Sequence, residues 1–463
     1  MAAPALAVVA DDLSGAAECA VHALLRVSRS SVALAPAPDA HRDSPAAVAS
    51  ETASSDATCV TVDTDSRRLT QEAAVRAVRA AARLVAAAPV VVKKVDSLLR
   101  GHVGAEVAAL AQELGRTPVV AVANPGLHRI VRDGVLHVAG TPLHQTDLWD
   151  VEPTPAPTAV SEALRPLRTV VVPQATVALG VDAVAEALAH ARASGLVAVC
   201  DAATETDLET VHAAATGSTP EALLVGSGAL AAVAARALPL ERPDPEPRHG
   251  APSDGTAHDG ETEPRPGADS EPAPSVLFVL GTRAPGLADQ LAHLRAAHSV
   301  HTLLVRPDDL LTDPEHVRRH LGAALPGGVV VVTLDPTAPA DPSRARRLAE
   351  ALADAVAPAA DAYDALFLSG GETARAVLDR LGVHALEVVT QIETGTVVST
   401  RPGGRTVVTR PGSFGRPQSL VAVATHLLGS GPTTCPQASS PALTVSTTQS
   451  ATAPSSATTK ENP

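Results

Sequence analysis

Lysine is nearly absent from this chain. In 463 residues it occurs three times, at Lys93, Lys94 and Lys460, and arginine supplies the rest of the 36 basic side chains. Lysine is a compact point charge suited to phosphate or carboxylate, and arginine does not replace it freely, so the adjacent pair marks a place to look for chemistry. Aromatics make up 1% of residues, which leaves Ala, Val and Leu to build the core. The four cysteines, Cys19, Cys59, Cys200 and Cys435, form no CxxC and no Cys/His cluster with zinc spacing. That pattern excludes a disulfide scaffold or a structural zinc site and suits buried thiols in a reducing compartment. The net charge is −14 and no basic block occurs, which argues against nucleic acid as the main partner. No charge-free apolar run approaches the roughly 18 residues of a membrane span. Met1 leads straight into the strand-like LAVVA without a basic n-region, and a cytoplasmic location is expected.

What is present is a repeated alternation of short apolar runs with Ala-rich helical patterns. Strands are expected at Leu6–Ala10, 58–63, 90–95, 118–123, 168–173, 195–200 and 222–226, with helices from the DDLSG turn through Arg26, at 70–87 and at 103–114. Residues 36–57 are turn-rich and read as a mobile loop. Continuous apolar strands separated by helices indicate parallel sheet covered on both faces. Residues 240–275 are Pro-, Gly- and acid-rich and cannot bury enough apolar surface to order themselves. The pattern restarts with strands at 276–283, 300–305, 328–334, 365–371, 385–390 and 405–409, and helices at 285–297, 343–357 and 372–381. The expected fold is α/β, with two three-layer α/β/α domains and mainly parallel sheets. The expected division is 1–240, a disordered linker 241–275, 276–429, and a disordered Ser/Thr/Pro-rich tail 430–463.

Chemistry-bearing residues gather at the ends of strands, where ligands collect in parallel sheets. Asp11 and Asp12 follow the first strand, with Ser14 and Gly15 opening a helix. Paired carboxylates there suit metal or hydroxyl binding or general-base work, and equally an ordinary helix cap. DTDSRR (63–68) offers Arg67 for a bidentate carboxylate contact, or is a surface turn. KKVDSLLRG places Lys94, Asp96, Ser97 and Arg100 at a strand-to-helix turn, either as an anion site or as a buried Asp–Arg pair that shapes the turn. In an alternating strand Lys93 faces the opposite side from Lys94, and it reads as incidental. GTRAPG (281–286), SGGETA (369–374) and PGSFG (411–415) are glycine turns whose backbone N–H groups approach phosphate closely. None is a Walker loop, and no GxGxxG follows the first strand, which counts against a nicotinamide-dependent oxidoreductase.

Taken in order, ADDLSGAAE, DTDSR, KKVDSLLRGHVGAE, PGLHRIVRDGVLHVAGTPLHQTD and SGGETARAVLDRLGV resemble the four-carbon acid sugar kinases, over about residues 5–240 and 275–428. The resemblance implies an N-terminal sugar-acid-binding domain and a C-terminal nucleotide-binding domain. It also implies ATP-dependent phosphorylation of a hydroxyl on threonate, erythronate or 3-oxo-tetronate, with Mg²⁺ accompanying ATP. Asp11, Asp12, Lys94, Asp96 and Arg100 are then the catalytic set, and Ser14, Arg67, Ser97 and Arg129 bind the sugar acid. In this assignment Arg67, Lys94 and Arg100 hold the substrate carboxylate. Gly281, Thr282, Ala284, Gly370, Gly371, Glu372, Thr373, Gly412 and Gly415 contact the nucleotide. No metal ligand is assigned. Leu98 stands where the family usually has Thr, Ala284 lies in a turn that is usually Ser-rich, and Ser413 replaces a glycine. These departures keep open an alternative, a sugar-acid- or nucleotide-binding regulatory protein without turnover. A small sugar acid and ATP are the expected partners, with neither nucleic acid nor membrane, and a homo-oligomer is compatible with the sequence.

Overall fold

The computed structural model describes residues 3–35, 59–218 apart from 151 and 153, 221–239, 275–323 apart from 282, 283 and 285, 328–338, 341–429 and 443–444. The loop read at 36–57 lies outside the described residues. So do the linker 241–275 except Ser275 and the tail 430–463 except Leu443–Thr444.

The strands are β1 (Leu6–Ala10), β2 (Ser30–Leu34), β3 (Cys59–Asp63), β4 (Val90–Lys94), β5 (Thr117–Ala121), β6 (Arg129–Arg132), β7 (Val135–Val138), β8 (Thr141–Pro142), β9 (Thr169–Val172), β10 (Val197–Cys200) and β11 (Ala222–Gly226). The second half contributes β12 (Ser275–Leu280), β13 (Val300–Val305), β14 (Gly328–Leu334), β15 (Ala365–Ser369), β16 (Ala385–Glu393), β17 (Thr396–Thr400), β18 (Thr406–Arg410) and β19 (Leu443–Thr444). The first half is a parallel run in the order β2-β3-β1-β4-β11-β5-β10-β9, and the second holds a parallel run β19-β13-β14-β12-β15-β18. Apolar strands with β-branched residues and helical crossovers give this arrangement because both sheet faces are covered.

The two sheets are not separate. β16 and β17 form an antiparallel hairpin, β17 pairs with β18, and β16 pairs antiparallel with β2. One hydrogen-bonded sheet therefore runs through both halves. Neither β2 nor β17 was expected, since both are five residues long and carry serines that dilute their apolar signal. A shared apolar cluster reinforces the join. Leu13, Ala16, Ala17 and Ala20 of the helix Leu13–Ala23 pack in it with Leu277, Leu368, Ala374, Val377 and Leu386 of the second half. Charged contacts cross the same boundary. Arg375 Nη1 lies 2.8 Å from Asp63 Oδ2, and Arg346 Nη2 lies 3.6 Å from Asp65 Oδ2.

A separate small sheet, β6-β7-β8, lies beside the first half. Its Asp133–Gly134 turn has φ of 52° and 72°, the paired positive values of a type I′ hairpin. Asp201 holds that turn, accepting from Asp133 N at 2.7 Å and Gly134 N at 2.9 Å.

Lys93 does face away from Lys94, but it is not incidental. It is fully buried, and its Nζ lies 2.8 Å from Glu106 Oε2 on the helix Val103–Leu114. Removing one member of such a pair strands a buried charge. Glu106→Gln should therefore lower stability by about 3–5 kcal/mol, read from the urea midpoint. Replacing both residues with Met and Leu should recover most of that loss.

Burial, together with the Asp63 carboxylate, pushes the Asp65 carboxyl up to about 7, with Arg375 and Arg346 offsetting it in part. In the unfolded chain the group ionises near 3.8. The folded state binds the extra proton between those values, so stability falls as pH rises from about 4 to about 7. Asp65→Asn removes that loss. Its melting temperature should exceed that of the wild type at about pH 8, and the two should converge below about pH 4. A gap that does not change with pH would overturn the assignment.

Candidate active site

Asp12 leaves β1 in extended conformation (φ −147°, ψ 155°) and caps the helix Leu13–Ala23, its Oδ1 accepting from Gly15 N at 3.2 Å. The cap reading and the functional reading thus concern the same residue. β4 lies beside β1 with Lys94 opposite Ala10, which delivers the ammonium to the acidic pair. Lys94 Nζ is 2.9 Å from Asp12 Oδ1 and 3.4 Å from Asp11 Oδ1. Gly15 provides the space, since a Cβ there would stand 2.0 Å from that Nζ.

Arg67 comes from the turn after β3. Its Nε lies 2.8 Å from Asp11 Oδ2, and its Nη2 lies 2.7 Å from Asp12 Oδ1 and 3.7 Å from Asp96 Oδ1. Arg100 forks onto Asp96 through Nε and Nη2, both at 2.8 Å. Asp96 also accepts from Leu98 N at 3.1 Å and Arg100 N at 3.3 Å, so it shapes its turn as well. The Leu98 side chain is buried in the core of the first half.

Three cations meet three carboxylates, and the fields are strong because water is largely excluded. Burial alone would raise the Asp11 carboxyl, but Arg67 and Lys94 outweigh it and hold the group far below the usual carboxylate range. Asp96 is held down in the same way by Arg67 and Arg100. Burial works against the Lys94 ammonium, yet Asp12 and Asp11 hold its pKa above the ordinary value. One oxygen stands apart: among the described residues Asp12 Oδ2 accepts no hydrogen bond. It faces Gly371, where a Cβ would lie 3.5 Å from it and 3.2 Å from Ser14 Oγ.

Arg129 opens β6 and is placed by the hairpin, with its main chain exchanging hydrogen bonds with Asn124. Its Nη1 donates to Ser97 Oγ, while its Nε is buried without a partner. Among the described residues it has no carboxylate within ion-pair distance. It is the one member of the expected substrate set with an unspent charge.

Beside this cluster opens a cleft of about 430 Å³. Its polar end is made by Gly281, Gly370, Gly371, Glu372, Thr373 and Gly412, with Ser413 adjoining. Gly370 (φ 102°) needs the glycine backbone, and Gly281 fits because any Cβ would sit 1.8 Å from Thr373 Oγ1. Arg68 and Arg100 stand at the mouth, and Arg68 Nε is 3.1 Å from Glu372 Oε1. The other wall is apolar: Leu334, Ala345, Leu348, Ala349 and Leu352. Among the expected nucleotide contacts, Thr282 lies outside the described residues. Ala284 does not line the cleft. Gly415 packs beneath it, where a Cβ would stand 2.6 Å from Arg410 Nη1. The apolar wall and Arg68 were not singled out from the sequence. Ala345, Leu348, Ala349 and Leu352 fall at i, i+3, i+4 and i+7, a visible helical stripe that says nothing about which face meets a ligand.

Comparison with known proteins decides the family. A model described as sugar-binding N-terminal domain matches residues 6–234, and one described as nucleotide-binding C-terminal domain matches residues 277–420. A D-threonate kinase of Cupriavidus necator is 33% identical over 89% of this chain and 95% of its own length. The chain belongs to the four-carbon acid sugar kinase family. A 3-oxo-tetronate kinase of Methylobacterium radiotolerans is 30% identical over 89% of the chain and 96% of its own. A D-erythronate kinase of Heliobacterium modesticaldum is 38% identical over a shorter stretch, 33% of this chain and 37% of that protein. A solved structure from Salmonella typhimurium LT2 shares the fold at a TM-score of 0.66 and 19% identity, covering 92% of this chain and 100% of that one. The protein is thus a four-carbon sugar acid kinase, an ATP-using phosphotransferase of the acid sugar kinase family. No described helix is long and apolar enough to cross a membrane.

Gly371→Ala tests whether the narrow space between the two halves of the site matters. The added methyl meets only side-chain tips at ordinary to tight distance, so the fold should persist. It occupies the gap facing Asp12, and kcat should fall about 10- to 100-fold, as for misplacement of reacting groups by about 1 Å. An unchanged kcat with an unchanged melting temperature would remove that gap from the reaction path.

Proposed function

We propose that the chain transfers the γ-phosphoryl group of ATP to a hydroxyl of a four-carbon sugar acid at the edge of the cleft where Asp12 faces Gly371. The observation that carries this is the free Asp12 Oδ2 facing the start of the helix Gly371–Arg380. A helix N-terminus concentrates unpaired N–H groups and favours phosphate, so the donor lies on that side. The apolar wall at Leu348 and Leu352 suits a flat base, with the phosphates toward Gly281 and Gly370.

On the acceptor side Asp12 orients the attacking hydroxyl through Oδ2 and takes its proton as the bond forms. Its other oxygen stays fixed by Lys94 and Arg67. Phosphoryl transfer depends mainly on positioning and charge stabilisation, so orienting the hydroxyl is the larger part of this role. Lys94, Arg67 and Arg100 are already matched by Asp11, Asp12 and Asp96, so the substrate carboxylate falls to Arg129, with Ser97 beside it. This revises the expectation that the first three hold that carboxylate. Among the described residues no group of three His, Cys, Asp or Glu could hold a metal ion alone. A Mg²⁺ ion brought by ATP would need few protein ligands, and Asp12 would be the residue to contact it. Bound there, the ion would neutralise phosphate charge. The names of the relatives support D-threonate, D-erythronate and 3-oxo-tetronate as the acceptors to try, D-threonate first.

ADP release should be measured over those three acids with Mg-ATP. Asp12→Asn should lower kcat by about 10²–10⁴-fold, the range for a positioned acid or base. Arg129→Ala should raise KM for the acid roughly 10- to 100-fold with little change in KM for ATP, the loss of one charged hydrogen-bonding partner. Unchanged acid KM in Arg129→Ala would return the carboxylate to Arg67 or Arg100, and no ADP release with any acid would sink the reading.

A further inference from the structure

The DTDSRR turn contributes more than Arg67. Its backbone is stitched to the end of β1: Thr64 N and Thr64 Oγ1 donate to Ala10 O at 3.0 and 2.8 Å, and Ser66 N donates to Asp11 O at 3.1 Å. From this one turn Arg67 reaches the acidic pair and Arg68 reaches Glu372 of the nucleotide helix. Asp63 points the other way, to Arg375.

Arg375 lies one helical turn beyond Gly371 on the helix Gly371–Arg380 and is 3% exposed, while Asp63 is wholly buried. Every arm of the guanidinium is used. Nη1 donates to Asp63 Oδ2 at 2.8 Å and approaches Asp63 O at 3.4 Å. Nη2 donates to Ala35 O, and Nε lies 3.1 Å from both oxygens of Asp379. Ala35 N in turn donates to Asp63 O at 2.9 Å. The guanidinium thus clasps the ends of β2 and β3, two strands of the first half, from a helix of the second. An ion pair that served only local folding would join neighbours within one half. This one joins residues 312 positions apart and ties the helix that starts at Gly371 to the turn that holds Asp11.

We propose that Arg375 is a positioning residue for phosphoryl transfer: through Asp63 it fixes the start of the nucleotide helix against the Asp11–Asp12 pair, so that donor and acceptor meet in line. The inference rests on the kinase reading above. Arg375 touches neither substrate. Its effect is on the distance between two groups that do, and small misplacements of that kind cost rate far more than affinity. Lysine would keep the charge but span only one acceptor, because the planar fork is what reaches Asp63 and Ala35 together.

The test compares wild type, Arg375→Lys, Arg375→Met and Asp63→Asn by three readouts: kcat for acid phosphorylation, Kd for ADP by calorimetry, and the fraction of ATP hydrolysed without acid phosphorylation. The glycine turns and the apolar wall that would hold ADP come from the second half, so ADP Kd should stay within about threefold, while kcat falls roughly 10-fold in Arg375→Lys and roughly 100-fold in Arg375→Met. Asp63→Asn should resemble Arg375→Lys, and the hydrolysed fraction should rise in all three. If Arg375→Met does not fold, judged by circular dichroism and melting, the two milder variants carry the test. A folded variant with wild-type kcat, or a kcat loss matched by equal loss of ADP affinity, overturns the proposal and leaves the kinase reading standing. No turnover in the wild type overturns both.

Discussion

The lattice of Lys94 and Arg67 with Asp11 and Asp12 is the interaction on which the site depends. Two adjacent carboxylates at a strand end repel each other, and in a buried setting one would take up a proton. Two cations from two other segments prevent that, and among the described residues they leave a single oxygen, Asp12 Oδ2, free on the side of Gly371. The geometry also explains why this arginine-rich chain retains lysine here. The ammonium sits directly above Gly15, where even a methyl carbon would stand 2.0 Å from Nζ. A flat guanidinium needs more width than that, and the wider fork is used at Arg67, where two carboxylates lie side by side.

The lattice sits where the two halves of the protein meet, and the join is built at three levels. Backbone pairing of β16 with β2 continues the sheet. The helix Leu13–Ala23 buries small residues, Ala16, Ala17 and Ala20, against the second half. Arg375 and Arg346 then place charge on Asp63 and Asp65. The helix that carries Asp12 at its start is therefore held on both sides. An interface this continuous keeps the Gly370–Gly371 turn and the acidic pair in register. Fine adjustment is left to the side chains of the DTDSRR turn.

Much of this was legible in the sequence, for a physical reason. Strands buried on both faces are runs of Val, Leu and Ala, and polar residues at their ends have few roles besides capping, turning or binding. Hence β1, β11 and β14 fell where the pattern placed them, and the acidic pair, Lys94 and GGET were visible as candidates. The failures share a different cause. Lys93 looked incidental because its partner Glu106 lies on the following helix, and a single Glu in a helix carries no sign of burial. β2 was missed because SSVAL gains its order from strands distant in sequence, β3 on one side and β16, some 350 residues later, on the other. Nothing in the sequence around Arg375 marks it for burial, and only the fold brings it to Asp63.

The departures from the family pattern weigh less than they do on paper, and the reason is direction. Leu98 stands at a position usually held by Thr, yet its side chain lies in the core and its backbone N–H serves Asp96. The hydrogen bonds of the turn to Asp96 come from the backbone N–H groups of Leu98 and Arg100 and do not use the Leu98 side chain. Ser413 replaces glycine at the lip of the cleft, where it adds a hydroxyl next to Gly412. Gly415 has a backbone reason to be glycine, separate from any ligand contact. Its φ of 119° and the closeness of Arg410 forbid a side chain there. Arg410 itself is buried, bonded to Gln290 Oε1 at 3.0 Å and stacked over Phe367, with no carboxylate paired to it among the described residues. Burial draws its pKa down to about 10, so it remains charged at neutral pH. A fixed positive charge under the glycine turns adds to the helix start at Gly371 in making that end of the cleft favourable to anions.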